Sequence, residues 1–302
     1  MTLFQAIVIG IVQGLTEFLP IISTAHMRIV PALLGWEDPG AGFSAVIQIG
    51  TLAAVIVYFW QDLWRIFAAV LADLKQGKLA SSTDSRVGWM IAVGTVPIVV
   101  VGLLFEDQID TTMRSMYVIC ASLIIVGVLL AVAEWMRRAG TLDGHDLSEI
   151  SWRDAIIVGL AQAVALIPGT SRSGATLLGG LACGLNHETA ARYSFLLSVP
   201  VIFGAGVYKL IKERDTLMSN QSQAINLVAG LVAAAVVGYL SIDWLLRYLR
   251  KRTTFVFVVY RIVLAIVLLI LLQANVLKPM PDGVKDATHS SNRLTHLPAA
   301  TL

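Results

Sequence analysis

Charge is scarce in this chain of 302 residues: Asp, Glu, Lys and Arg make up 14%, against 57% hydrophobic residues, and the mean hydropathy is +0.77. Such a shortage excludes an ordinary soluble domain, in which about a quarter of the residues are charged. Neither sign dominates, because the formal net charge is only +2, and no nucleic-acid partner is expected. Cysteine is nearly absent. Cys120 and Cys183 both fall in apolar runs without metal-ligand spacing and read as small packed hydrophobes. The opening Met1-Thr2-Leu3-Phe4 has no basic stretch and no cleavage site, so no removable signal peptide is expected. The apolar remainder reads as a polytopic membrane protein.

A membrane span takes about 20 mainly apolar residues. Six segments reach that length: 40 to 60, 87 to 105, 115 to 136, 190 to 211, 223 to 246 and 254 to 275. Two further apolar stretches, 3 to 34 and 152 to 186, are broken by Pro20 and by Pro168-Gly169, each followed by hydroxyl and charged side chains. Proline removes a donor and clashes with the preceding turn. Each stretch therefore reads as a re-entrant helical hairpin, tolerated at membrane depth only where protein or a water-filled cavity covers the turn. The hairpins resemble each other, Gly10 and Gln13 aligning with Gly159 and Gln162, and Pro20 and Ser23 with Pro168 and Ser171. The expected fold is all-α: six transmembrane helices plus two re-entrant hairpins in an inverted-topology repeat. Residues 1–136 form the first repeat, 150–275 the second, and 276–302 a polar tail expected to be disordered. Arginine and lysine gather in 61–86, 137–153 and 247–253, which the positive-inside bias places in the cytoplasm. Both chain ends and the loops 106–114 and 212–222 then face outward, and the hairpin tips meet near the midplane.

The chemistry concentrates at those tips. In Pro168-Gly169-Thr170-Ser171-Arg172-Ser173-Gly174-Ala175-Thr176 a charge lies inside an apolar stretch, which marks a functional site. A helix starting there, through 173–185, presents free N–H groups and a positive dipole end to an anion. Arg172 adds a planar fork suited to phosphate oxygens, with Ser171, Ser173 and Thr176 as hydroxyl donors around it. At the first tip Gln13 and Glu17 share a helical face, and Ser23, Thr24 and His26 open the next helix. Ser23 is a candidate nucleophile with His26 as its acid/base partner; His26 itself or water are the alternatives. Glu17 is either a general base or, with Gln13, a ligand for Mg2+ or Ca2+, since Arg172 and one helix dipole leave a diphosphate's charge incompletely balanced. Arg28 is a second phosphate ligand or a snorkelling side chain.

Other residues read as structure. Gly10 with Gly14 and Gly180 with Gly184 have the spacing of close helix packing. Trp60, Trp64, Trp135, Trp152 and Trp244 lie near span ends, as interfacial anchors do. His187 reads as a loop residue, and His145, His289 and His296 have no metal spacing.

The runs Gln13-Gly14-Leu15-Thr16-Glu17-Phe18-Leu19-Pro20, Ser23-Thr24-Ala25-His26 and Pro168 through Thr176 resemble the paired signatures of the undecaprenyl-diphosphate phosphatases, the bacitracin-resistance family. The resemblance covers residues 1 to 275 and takes in Gln48-Ile49-Gly50 and Tyr260-Arg261. It implies a bacterial inner-membrane hydrolase that removes the terminal phosphate from a polyprenyl diphosphate lipid, with a site open to the periplasm and a divalent metal requirement. Two departures stand out: Gln13 is the neutral variant of a Glu/Gln position, and Ile22 replaces the first of two serines, leaving Ser23 alone. Inverted repeats with broken helices are also the architecture of transporters, so a lipid-phosphate flippase is the alternative.

Overall fold

The two proline breaks organise the computed structural model, which describes residues 1–105, 108, 113, 115–140, 144–218 and 220–277. Helix α1 (Leu3–Phe18) starts on a capping box between Thr2 and Gln5 and stops at Leu19, whose extended backbone is what a following proline imposes. The chain re-enters helix as α2 (Ser23–Leu33). Helices α3 (Gly40–Val46), α4 (Gln48–Tyr58), α5 (Trp60–Lys75), α6 (Thr83–Leu104) and α7 (Met116–Arg138) follow. The second broken stretch gives α8 (Trp152–Val164) and α9 (Arg172–Ala182), and then α10 (His187–Leu217), α11 (Gln221–Leu249) and α12 (Phe255–Gln273). No strand forms among the described residues. Both interrupted stretches are thus helix, turn, helix, and the protein is an all-α polytopic membrane protein. The tail expected from residue 276 lies outside the described residues from 278 onward, as does most of the loop 106–114.

Helices α6, α7, α10, α11 and α12 are each long and apolar enough to cross a membrane. The sixth expected span, 40 to 60, is α3 with α4, and it turns by 80° into α5. That helix corrects the sequence reading, which made 61–86 a loop. Its apolar residues Trp60, Trp64, Phe67, Leu71 and Leu74 recur at helical spacing on an exposed stripe. Exposed side chains on the spans are apolar too, such as Val96, Val99 and Leu103 on α6 and Val256, Val259 and Val263 on α12. A surface of that kind suits lipid.

Small residues decide the closest packing. A Cβ on Gly10 would lie 2.3 Å from the Gly230 carbonyl oxygen, and one on Gly14 2.8 Å from the Ala234 carbonyl oxygen, so α1 presses backbone to backbone on α11. Gly159 of α8 meets Gly94 of α6 in the same way, 2.6 Å from its carbonyl oxygen. Gly180 packs on Ala190, but Gly184 does not share that role: it follows the C-cap of α9 with a φ of +86°, and the Gly184 and Leu185 amides donate back to Leu181 and Gly180. It is a helix stop.

The loops rich in arginine come together at one end. Arg86 donates to the Ser148 carbonyl (3.1 Å), Arg137 to the Leu185 carbonyl (2.8 Å), Arg192 to Asp62 (2.8 Å) and Arg250 to Glu188 (2.8 Å). His187 is no loop residue. It opens α10 and pairs at 2.7 Å with Glu134 of α7, a fully buried carboxylate that also accepts from the Thr254 amide and hydroxyl at 2.6 Å each.

Candidate active site

Glycine makes the second turn possible. Gly169 has a φ of +97°, and a Cβ there would stand 2.6 Å from both Cα and the carbonyl oxygen of Ile119, so the turn lies directly on α7. Ser171 follows with φ +66° and caps α9 by accepting from the Gly174 amide at 3.2 Å. Arg172 is consequently the first residue of α9, held at the end where helix N–H groups are free.

From there Arg172 reaches the first hairpin. Its Nη2 lies 2.6 Å from Glu17 Oε1, and Glu17 Oε2 accepts from Gln13 Nε2 at 2.7 Å. Both Gln13 and Glu17 are buried. The pairing spans 155 positions of sequence and needs both hairpins to bring their turns to one depth. Two further ties hold the turns together. Ser173 Oγ donates to the Leu19 carbonyl at 2.8 Å. Arg261 of α12, fully buried, donates from Nε to the Pro20 carbonyl (2.5 Å) and from Nη2 to the Thr170 carbonyl (3.0 Å). No carboxylate pairs with Arg261 among the described residues, and its Nη1 has no partner. Gly174 makes room for it: a Cβ at that position would come 2.1 Å from Arg261 Nη2.

A cavity of about 320 Å³ opens beside the Glu17–Arg172 pair. Its polar lining residues are Glu17, Ser23, Thr24, Arg28, Ser44, Gln48, Ser171 and Arg172. Apolar residues line it as well, among them Ile98, Ile119, Leu166, Val201 and Ala205. Both α2 and α9 begin at this wall, so two helix N-termini face it. A pocket lined by two arginines, two dipole ends and apolar side chains has the chemistry for an amphiphile with an anionic head. A second cavity, of about 410 Å³, lies near Met1, Trp36, Glu37 and Asp38. Its charged side chains, Glu37 and Asp38, are both acidic, which disfavours a phosphate.

The structure gathers Glu17, Ser23, Thr24, Ser171 and Arg172 around one space, with Gln13 directly behind Glu17. Three expected residues stand elsewhere. Thr176 is buried and bonds to the Arg172 carbonyl (2.7 Å) and Ser194 Oγ (2.5 Å), tying α9 to α10, and Ser173 is turned to Leu19. Neither lines the cavity, since helical geometry carries them round to the packed side of α9. His26 is also off the wall. Its Nδ1 lies 2.5 Å from the Ile22 carbonyl and its Nε2 2.5 Å from the Tyr260 hydroxyl, so the Ser23–His26 contact that the spacing permits is not made. Ser23 Oγ has no hydrogen bond among the described residues. Ser44, Gln48 and Arg261 had no assigned role in the sequence reading. Their signal was present all the same, as polar side chains inside the spans 40 to 60 and 254 to 275.

The chain matches the family model described as bacitracin resistance protein BacA over residues 6–267. It is 55% identical to an undecaprenyl-diphosphatase of Chlorobium phaeovibrioides across 282 residues, which is 92% of this chain and all of the relative. Proteins of the same description from Chloroherpeton thalassium (53% over 281 residues, 92% of this chain and 99% of the relative) and Chlorobaculum tepidum (53% over 282 residues, 92% and 100%) are similarly close.

Proposed function

Because the chain belongs to the family of bacitracin resistance protein BacA, we propose that its reaction, hydrolysis of undecaprenyl diphosphate to undecaprenyl phosphate and inorganic phosphate, takes place in the cavity between the two hairpin turns. It is a membrane phosphatase that regenerates the lipid carrier, and its relatives give no support to a transporter. The observation that carries the site is the Glu17–Arg172 pair at 2.6 Å on the wall of a cavity lined by both polar and apolar side chains. Without substrate the carboxylate neutralises the guanidinium. A terminal phosphate takes Glu17's place on the two-point fork of Arg172, with the N-termini of α2 and α9 adding donors. The first isoprene units lie along Ile98, Leu166 and Val201.

Ser23 Oγ then attacks the terminal phosphorus, the bond to the bridging oxygen breaks, and undecaprenyl phosphate leaves. Glu17, released from Arg172, takes the serine proton. Water hydrolyses the phosphoserine and frees inorganic phosphate. Rapid acid quenching during turnover, followed by peptide mass spectrometry, is expected to find phosphate on Ser23, and Ser23→Ala to be inactive. Full turnover by Ser23→Ala would make water the nucleophile.

A second role for Glu17, as the protein's hold on Mg2+ or Ca2+, rests on the charge of the diphosphate, and it requires the Gln13 amide and Arg172 to give up the two carboxylate oxygens they now occupy. Among the described residues no three His, Cys, Asp or Glu gather, so such an ion would draw most of its ligands from the diphosphate, as Mg2+ commonly does. Bound there, it would neutralise phosphate charge. A titration of phosphate release against Mg2+ tests this: Glu17→Gln shifts the midpoint to higher metal and Gln13→Glu to lower. An unchanged midpoint in both variants leaves Glu17 as proton acceptor alone.

The halves act as inverted repeats in this reading. Their support is an exchange of partners, the first arm of each hairpin packing on a span of the other half, α1 on α11 and α8 on α6. The arginine-rich end faces the cytoplasm of a bacterial inner membrane, and the cavity opens toward the periplasm.

A further inference from the structure

Both nitrogens of the His26 ring are engaged, by two different elements. Nδ1 meets the Ile22 carbonyl, which can only accept, so Nδ1 carries the proton. In the neutral ring Nε2 is then an acceptor, and the Tyr260 hydroxyl donates to it. The two rings lie nearly parallel, 5.8 Å apart with 16° between their planes. Tyr260 itself sits on the outward side of α12, where its neighbours Val256, Val259 and Val263 are exposed toward lipid. A phenol hydroxyl without a partner is costly in such surroundings, and His26 is the partner it has.

The consequence falls on the nucleophile. Ile22 is the N-cap of α2 and has no side chain to cap the helix, while Ser23 is the next residue. The carbonyl between them is the one His26 holds. Adjacent residues of α12 thus grip the first turn at two points: Arg261 holds the Pro20 carbonyl directly, and Tyr260 holds the Ile22 carbonyl through His26.

We propose that Tyr260 is a positioning residue of the reaction, which fixes His26 as the Nδ1–H tautomer braced on the Ile22 carbonyl and so sets the aim of Ser23. Neither Tyr260 nor His26 lines the cavity, so the effect is exerted through the turn and not on the substrate. The proposal deepens the mechanism above and rests on Ser23 as the attacking group.

The test uses the full-length protein in detergent, with Tyr260→Phe, His26→Ala, their double variant and Ser23→Ala. Phenylalanine keeps the ring stack and removes only the donor. Turnover of a polyprenyl diphosphate by Tyr260→Phe is expected to fall about tenfold in kcat with KM unchanged, the size of effect one well-formed hydrogen bond carries. In 15N spectra of histidine-labelled protein, the His26 signal, assigned by its loss in His26→Ala, is expected to change from one tautomer to a mixture. The double variant should be no slower than His26→Ala alone, because both residues act in one chain. Turnover within twofold of the parent, an unaltered tautomer, or losses that multiply in the double variant would overturn the proposal. Failure of the nucleophile reading is a separate result: Ser23→Ala then retains turnover while the Tyr260→Phe tautomer shift is unaffected.

Discussion

Arg172 and Glu17 neutralise each other in a place where neither would be stable alone. Removing one partner of a buried pair leaves an uncompensated charge and costs on the order of 3–5 kcal/mol, so alanine variants mix stability with chemistry. Arg172→Lys is the cleaner probe. It keeps the charge opposite Glu17 and loses the planar fork, and it should lower kcat/KM by about two orders of magnitude while the melting temperature in detergent changes little. Near-normal phosphate release by this variant would remove the two-point clamp from the mechanism. The residues at this pair were legible in the sequence because an intramembrane charge has few structural reasons to exist. The same rule, applied to the spans 115 to 136 and 254 to 275, singles out Glu134 and Arg261, both fully buried. What sequence could not supply was direction: Ser173 and Thr176 carry the right hydroxyls, but their places on α9 turn them toward Leu19 and Ser194.

At the scale of elements, helices press together where glycine allows it. Gly10→Ala would drive a methyl group to 2.3 Å from the Gly230 carbonyl oxygen, and the backbone there cannot yield as a flexible side chain would. A loss of about 1–3 kcal/mol is expected, read as a lower melting temperature. Gly204→Ala is the control, because nothing lies within 4 Å of its added methyl, and alanine's helix propensity should make it neutral or slightly stabilising. Equal melting temperatures for the two variants would deny that the α1–α11 contact is backbone-limited. The turn after α5 gives a pH dependence. Asp73 accepts from the Ser81 amide at 2.7 Å and from the Ser81 hydroxyl, and these donors hold its carboxyl below the ordinary value of 3.8. A depressed carboxylate stabilises the fold above its unfolded pKa and loses that contribution as pH falls through the folded one. The protection factor of the Ser81 amide against hydrogen exchange should therefore fall only below about pH 4, and Asp73→Asn should abolish that dependence. Helix α5 escaped the sequence reading because its 16 residues carry five charges or amides and stop short of a span. Its apolar stripe follows a helical period, which a search for long apolar runs does not see.

For the whole molecule the question is which end of the bundle faces the cytoplasm. The sequence grouped 61–86, 137–153 and 247–253 by their positive charge alone, and the structure draws the three together through Arg86, Arg137, Arg192 and Arg250. Those contacts fix that the loops share an end, but a bundle turned over as a unit would keep every one of them. Only the interaction with a polarised, anionic membrane distinguishes the two orientations, and it favours cationic loops inside. With Cys120 and Cys183 replaced by alanine, a cysteine at Lys251 should resist an impermeant maleimide added to intact cells and react after lysis. A cysteine at Gln221, the first residue of α11 at the other end of the same helix, should react before lysis. Reversed labelling would put the arginine-rich end outside and the mouth of the cavity in the cytoplasm. In that case the enzyme would draw its lipid diphosphate from the inner leaflet, and the periplasmic opening would have to be abandoned while the chemistry at Arg172, Glu17 and Ser23 stood unchanged.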